Sequence, residues 1–238
     1  MSLGTVHERR RRRRPTSARR TSAQLARRVP PEVAPARSAT RVLVEFGRGA
    51  PRVSRSRSRP GRARRSLAGV RRPQIAVIGS ASGDDALLSL ARAFGEAVVD
   101  RGWRIVCGGL TGVMQAVAEG ARRSAAATGG DVIGVLPTLD PDTANASVDI
   151  VIPTGMDRAR NILVVGSGDV IVALGGGAGT LSELALAWQL GKPIVALTSS
   201  GGWAEALAGR PLDARRDDVI HAAADVGDAI ARVAALLP

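Results

Sequence analysis

Apolar residues in the last two thirds of the chain alternate between short continuous runs and longer stretches with helical spacing. Runs of four or five apolar residues are typical of strands that are buried on both faces of a parallel sheet. Strands are predicted on this basis at residues 75–78, 103–106, 132–136, 149–152, 170–174 and 194–197, where Arg104 and Asp149 are the only charged residues, and a weaker one near Val219.

Between these runs, apolar residues recur at intervals of three and four, which predicts helices that cover a sheet. The first predicted helix follows Asp84, whose side chain can cap its start. The other predicted helices lie at 113–121, 156–165, 180–190, 203–207 and 226–237. Strands that alternate with helices predict right-handed crossovers. The expected fold is therefore α/β: a three-layer, doubly wound parallel sheet of about six or seven strands with helices on both faces.

The charge is distributed very unevenly along the chain. Residues 1–72 contain 22 arginines and 3 glutamates, a net +19, whereas residues 73–238 carry a net −6. A segment rich in Arg, Ser and Pro buries too little apolar surface to offset the entropy of ordering it. We therefore expect a disordered N-terminal extension over 1–72 and one folded domain over 73–238.

Three interpretations of the extension remain open: an arm that binds nucleic acid, a targeting segment, or an extension without chemistry. Phe46 is its only aromatic residue, so it offers no platform on which bases could stack. The whole chain has one lysine, Lys192, against 33 arginines, a bias that codon usage explains better than a need for positive charge. These observations favour the third interpretation over a nucleic-acid contact.

Several classes of protein are not expected. Cys107 is the single cysteine, so no internal disulfide forms, and His7 and His221 are too far apart in sequence to suggest a metal site. No apolar run reaches the ~18 residues of a membrane span, and the N-terminus lacks the apolar core of a signal peptide. We expect a cytoplasmic protein with no membrane contact and no bound metal.

Glycines follow three of the predicted strands and outline one ligand cleft. They occur in Gly79-Ser80, in Cys107-Gly108-Gly109 and in the run 175–177. Ligands of open α/β sheets bind beyond the carboxyl ends of the strands, where the strand order reverses. Gly176, Gly177, Gly179 and Thr180 lie between a strand and a helix, and the free N–H groups of a helix start favour an anion. A phosphate-bearing small molecule is the expected partner.

Three motifs carry a resemblance to a known family. The segments Gly108–Met114, Met156–Asn161 and Gly175–Glu183 are similar to the first glycine loop, the arginine motif and the second glycine signature of the LOG-like family. These are Rossmann-like proteins long mislabelled lysine decarboxylases. Several are cytokinin riboside 5′-monophosphate phosphoribohydrolases, and the chain looks closest to the branch with molybdenum cofactor carriers.

The resemblance implies roles for named residues. If the chain is a hydrolase like several members of this family, the resemblance implies that Arg160 and Glu183 are its catalytic residues. Together with the strand ends, it gives a set of residues expected to bind phosphate or nucleotide: Gly79, Ser80, Gly108, Gly109, Thr111, Gly112, Met114, Asn161, Gly176, Gly177, Gly179 and Thr180. Gly175 stands where the family usually has proline, and Ser182 replaces an acidic residue. Those two departures put the hydrolytic activity in question, but not the fold.

The residues also allow plainer interpretations. Arg160 could be a solvated helix arginine, although its apolar helix favours a phosphate or ribose contact. Glu183 could merely suit the positive start of its helix. Cys107 fits a small core residue better than a nucleophile. Lys192 is predicted in a turn at the far end of its helix from the cleft, which argues against a pyridoxal Schiff base and hence against lysine decarboxylation.

Two hypotheses about function therefore remain. The first is hydrolysis of the N-glycosidic bond of a nucleoside 5′-monophosphate. The second is a non-catalytic carrier of a phosphorylated pterin, such as molybdenum cofactor. Neither requires a cofactor, although a nucleotide or molybdenum cofactor could be the bound molecule. The resemblance also implies a homodimer, for which the helix face around Leu184 and Trp188 is a candidate contact.

Overall fold

A computed structural model describes residues 71–238 of the chain. Within this range, seven strands form one sheet in which every pairing is parallel. The strands are β1 (Gln74–Gly79), β2 (Arg104–Cys107), β3 (Val132–Leu136), β4 (Ile150–Pro153), β5 (Val170–Leu174), β6 (Ile194–Leu197) and β7 (His221–Ala223).

The strand order is β4-β3-β2-β1-β5-β6-β7. From β1 the chain adds β2, β3 and β4 in turn toward one edge of the sheet. It then returns and places β5 on the other side of β1. In the register, Ala76 of β1 lies opposite Val106 of β2 and Ile171 of β5. The order therefore reverses between β1 and β5, and the carboxyl ends of these strands form the edge where doubly wound folds bind ligands.

Helices cover both faces of the sheet, as the hydrophobic periodicity predicts. They are α1 (Asp85–Asp100), α2 (Val113–Arg123), α3 (Asn161–Ser167), α4 (Ala178–Gln189), α5 (Gly202–Leu207) and α6 (Val226–Leu236). Buried residues of α1, α2 and α6 belong to one hydrophobic cluster, and those of α3, α4 and α5 belong to another on the opposite face. The three-layer α/β architecture is confirmed.

Two elements differ from the sequence prediction in detail. The weak strand expected near Val219 lies at 221–223, because the backbone of Ile220 pairs with Gly209 and Arg210. The helix expected over 156–165 begins with a 3₁₀ turn, Asp157–Arg160, and becomes α-helical only from Asn161.

The chain enters the domain at the amino-terminal edge of the sheet. There, Arg71 forms an ion pair with Asp169, and the Arg72 Nη1 atom lies 2.7 Å from Asp131 Oδ1. Asp169 also accepts a hydrogen bond from the Gln74 N–H at the start of β1. The arginine-rich segment over 1–70, with its expected disorder, lies outside the described residues. No helix within 71–238 is long and apolar enough to cross a membrane.

Candidate functional site

A cavity of about 690 Å³ lies at the carboxyl ends of β1, β2 and β5, where the strand order reverses. Its walls come from the loops that follow these strands, from the 3₁₀ turn before α3 and from the first turns of α4. The size is within the range of pockets that hold a small-molecule ligand.

The loop between β5 and α4 is held by two serine hydroxyls. The Gly175 N–H donates to Ser200 Oγ, and the Gly176 N–H donates to Ser80 Oγ, both at 2.8 Å. Gly175 has φ = 63°, a value that proline cannot adopt. Glycine at residue 175 thus allows both this positive φ and the hydrogen bond that its amide donates.

The start of α4 presents backbone N–H groups to the cavity. Gly177 is the N-cap residue and provides no side-chain cap, and the intrahelical bonds begin at the Leu181 N–H. The amides of residues 178–180 thus have no partner within the helix. A side chain at Gly177 or Gly179 would meet no atom within 4 Å, so this helix start is open toward the cavity.

Arg160 lies deep in the cavity wall rather than in solvent. Its side chain is buried, and its Nε and Nη1 atoms have no hydrogen-bond partner among residues 71–238. The guanidinium packs directly on Gly108, because a Cβ added at that residue would lie 2.3 Å from Nη2. Gly108 therefore leaves room for the Arg160 guanidinium in this position. Buried donors without a partner are costly, which indicates that Arg160 is suited to hold an anion.

Glu183 is the carboxylate next to this arginine. Its Oε1 atom lies 3.7 Å from Arg160 Nη1, and both side chains are about nine-tenths buried. Burial raises the pKa of Glu183 to about 7, and the positive charge of Arg160 opposes this effect. A carboxyl group with a pKa close to neutrality is suited to exchange protons with a ligand.

The remaining predicted residues divide into two groups. Those that line the cavity, besides Arg160 and Glu183, are Gly79, Gly108, Met114, Asn161, Gly177, Gly179 and Thr180. The others support the loops around it: Ser80, Gly109, Thr111, Gly112 and Gly176. Gly112, for example, has φ = 67°, and a Cβ at that residue would lie 2.3 Å from the Ala81 backbone. The binding roles of both groups stay predictions.

Sequence reasoning missed Arg158 and passed over Ser182 as a ligand contact, and both line the cavity. The Asn161 Nδ2 atom donates to Ser182 Oγ at 3.3 Å, and that hydroxyl donates to the Gly179 carbonyl. Arg158 lies two residues before Arg160 in the segment Met156–Asn161. The sequence therefore contained a second arginine that could have been predicted at the site, but the resemblance assigns a role to Arg160 alone.

Two residues that were considered for chemical roles, Cys107 as a nucleophile and Lys192 as a Schiff-base lysine, lie in structural positions. Cys107 is fully buried in the hydrophobic core, and burial raises the pKa of its thiol to about 11, which disfavours a nucleophilic thiolate. The Lys192 Nζ atom donates to the carbonyl oxygens of Gly166 and Gly168 at the end of α3. It lies on the amino-terminal side of β6, away from the cavity, which agrees with the argument against a pyridoxal Schiff base.

The proposed contact face around Leu184 and Trp188 is wrong. Leu184 is fully buried, Trp188 is 3% exposed, and both pack in the core between α4 and the sheet. Their apolar character serves to cover the sheet of their own chain. They are not available to a second copy.

A smaller cavity of about 330 Å³ lies near the amino-terminal edge of the sheet, between α2 and the start of β3. Its charged groups already have partners, since Asp131 pairs with Arg72, and Asp149 lies 3.7 Å from Arg122. Residues 71–238 contain no cluster of three or more potential metal ligands. The larger cavity is therefore the candidate site.

Residues 72–230 match the model of the SLOG cluster4 family. An uncharacterized protein of Archaeoglobus fulgidus is 40% identical over 124 residues, which are 52% of this chain and 79% of that protein. The cytokinin riboside 5′-monophosphate phosphoribohydrolase of Mycobacterium tuberculosis is 38% identical over 118 residues. That match covers 46% of this chain and only 61% of the length of the enzyme.

Solved structures with the same fold include two proteins that bind molybdenum cofactor. The molybdenum cofactor binding protein from Rippkaea orientalis has a TM-score of 0.62 at 30% identity, over 70% of this chain and 98% of that one. The molybdenum cofactor carrier protein from Chlamydomonas reinhardtii has a TM-score of 0.59 at 35% identity, over 69% of this chain and 98% of that one.

Proposed function

The chain belongs to the SLOG cluster4 family, and from this membership and the geometry of the cavity we propose that it binds a phosphorylated, nucleotide-like small molecule there. The single observation that supports this most strongly is Arg160. It is buried, two of its donor atoms have no hydrogen-bond partner among the described residues, and it lies in the same cavity as the start of α4. A phosphate would satisfy both sets of donors.

We further propose that the protein hydrolyses the N-glycosidic bond of a nucleoside 5′-monophosphate. Water adds to the anomeric carbon of the ribose as the bond to the base breaks, and the base leaves with a proton. The ribose becomes positively charged on the way. As a carboxylate, Glu183 would stabilise that charge and orient the water, and fixing the phosphate would hold the ribose beside it. The reaction needs no cofactor.

A second candidate function is a carrier that binds molybdenum cofactor without turnover. It is favoured by the two solved proteins above, each covered over 98% of its length. The donors around Arg160 also suit a phosphorylated pterin. The two functions share the phosphate position and differ in whether Glu183 faces a bond that breaks.

The test is to incubate the full chain with a panel of nucleoside 5′-monophosphates and to measure free base and bound ligand together. A hydrolase releases base, and Glu183→Gln should lower that rate by roughly 100-fold, within the range for a catalytic acid–base group, while binding is retained. Binding without base release would favour the carrier. If no monophosphate binds, hydrolysis of a nucleoside 5′-monophosphate is ruled out and only the carrier function remains.

A further inference from the structure

The charges that line the cavity do not balance. Its charged side chains are Arg158, Arg160 and Glu183. Glu183 is next to Arg160, and both are buried at the inner end of the cavity. Arg158 is exposed, and no ion pair within residues 71–238 involves it. One positive charge therefore remains at the mouth of the cavity, beyond what a single phosphate at the inner end would use.

The turn that carries Arg158 is fixed by the backbone around it. Asp157, which precedes it, has φ = 48°, an uncommon value for a residue with a side chain. Its N–H donates to the Pro137 carbonyl at 3.0 Å, and the Gly155 N–H donates to Thr138 at 3.1 Å. Strain of this kind persists where neighbouring structure holds it in place, and it is concentrated at ligand sites.

The same turn places its side chains at two different depths. Residues three apart eclipse in a 3₁₀ turn, so Arg158 and Asn161 share one side, whereas Arg160 points in another direction and reaches Gly108. Asn161 on that side is neutral, and its side-chain amide donates to the Ser182 hydroxyl. The mouth of the cavity thus combines one cation with amide and hydroxyl groups.

We propose that Arg158 forms a second anion-binding position, and that the natural ligand carries a second anionic group besides the phosphate held by Arg160 and α4. A nucleoside with two phosphates, either as a diphosphate or on two ribose hydroxyls, has this chemistry. The inference rests on the proposed function, because it assumes that the first phosphate lies at the inner end of the cavity.

The test measures by calorimetry, at physiological salt, how tightly the full chain binds adenosine 5′-monophosphate, adenosine 5′-diphosphate and adenosine 3′,5′-bisphosphate. For wild type, we expect at least one of the doubly phosphorylated nucleotides to bind roughly tenfold more tightly than the monophosphate, as for one charge-assisted hydrogen bond. Arg158→Ala should remove this advantage, because it weakens binding of the doubly phosphorylated nucleotide more than binding of the monophosphate. Arg158→Glu should reverse the preference.

Arg210→Ala is the matched control, because Arg210 is also exposed but does not line the cavity. It should leave all three affinities unchanged. The arginine-rich N-terminal segment is present in every variant, so its contribution cancels when variants are compared. If the monophosphate binds but a second phosphate gives no advantage, or Arg158→Ala weakens all three nucleotides equally, the second position is refuted and the proposed function stands. If none of the nucleotides binds, the proposed function itself fails.

Discussion

Gly179 lies at the helix start where the ligand phosphate is proposed to bind, and it has room for a side chain. Gly179→Asp should therefore fold normally but place a carboxylate next to the phosphate. Like charges in contact cost several kcal/mol, so binding of adenosine 5′-monophosphate should fall by roughly 100-fold or more. Gly166→Asp on α3 is the control, since a side chain there also meets no atom within 4 Å. Unchanged calorimetric binding by Gly179→Asp would place the phosphate elsewhere.

Glu183 makes stability depend on pH in a defined direction. Burial raises its pKa from 4.5 to about 7 in the folded protein. The folded state therefore holds its proton more tightly than the unfolded state, and the stability that this group contributes is lost as the pH rises toward 7. Relative to Glu183→Gln, the free energy of unfolding of wild type should fall by about 1–3 kcal/mol between pH 5 and pH 8.

Urea denaturation of both proteins across this range measures the difference. If wild type instead gains stability relative to Glu183→Gln as the pH rises, Arg160 dominates over burial. The carboxyl group would then be ionised at neutral pH, and it would act only as a carboxylate.

At the scale of elements, the β5–α4 loop depends on a hydroxyl from the 3₁₀ turn that follows β6, Thr198–Ser200. Ser200 Oγ accepts from the Gly175 N–H and donates to the Leu197 carbonyl. Ser200→Ala leaves a buried N–H without a partner, so it should lower the free energy of unfolding by about 1–3 kcal/mol. Ser199→Ala, at the exposed neighbouring residue, should change it by less than about 0.5 kcal/mol. Equal effects in chemical denaturation would show that the hydrogen bond is unimportant.

The sequence predicts elements well where burial is complete. Residues 170–174 are apolar throughout because β5 lies in the middle of the sheet with helices on both faces, and all five are buried. The prediction is less accurate at the edge, where β7 is short. There, Val219 is as apolar as a strand residue but lies half-exposed outside the sheet. Hydrophobicity alone does not distinguish the two positions.

The same limit applies to the site. Glycines at strand ends predict a cleft correctly, since parallel strands bring their carboxyl ends to one edge. The reason for each glycine depends on contacts between distant segments, which no local pattern contains. Gly108 admits the side chain of Arg160, and Gly112 admits the backbone of Ala81. The burial of Leu184 and Trp188 likewise follows from which side of α4 faces the sheet.

At the scale of the whole molecule, the homodimer stays a prediction, now with a different surface. Ile150 and Ile152 on edge strand β4 are each 42% exposed, and Ile162 and Leu163 on α3 are 39% and 40% exposed. The two strand residues lie opposite Ile133 and Val135, which pack on the face covered by α3. Exposed apolar surface of this kind is typical of interaction sites.

Leu163→Asp combined with Ile152→Lys should therefore convert a dimer into a monomer in light scattering at micromolar concentration. Leu139→Asp is the control, because Leu139 is even more exposed but lies in the loop between β3 and β4. A wild-type chain that is already monomeric would contradict the prediction.

The ion pairs of Arg71 and Arg72 fix where the chain enters the domain, and the entry point has a practical consequence. It lies at the opposite end of β1 from the cavity, about 20 Å away for a six-residue strand. A tether fused directly ahead of residue 71 therefore attaches the domain by the edge remote from the cavity. Coupling a chain that begins at residue 71 to a biosensor surface through this end should leave the cavity facing the flowing solution, whereas random coupling would block it on some molecules.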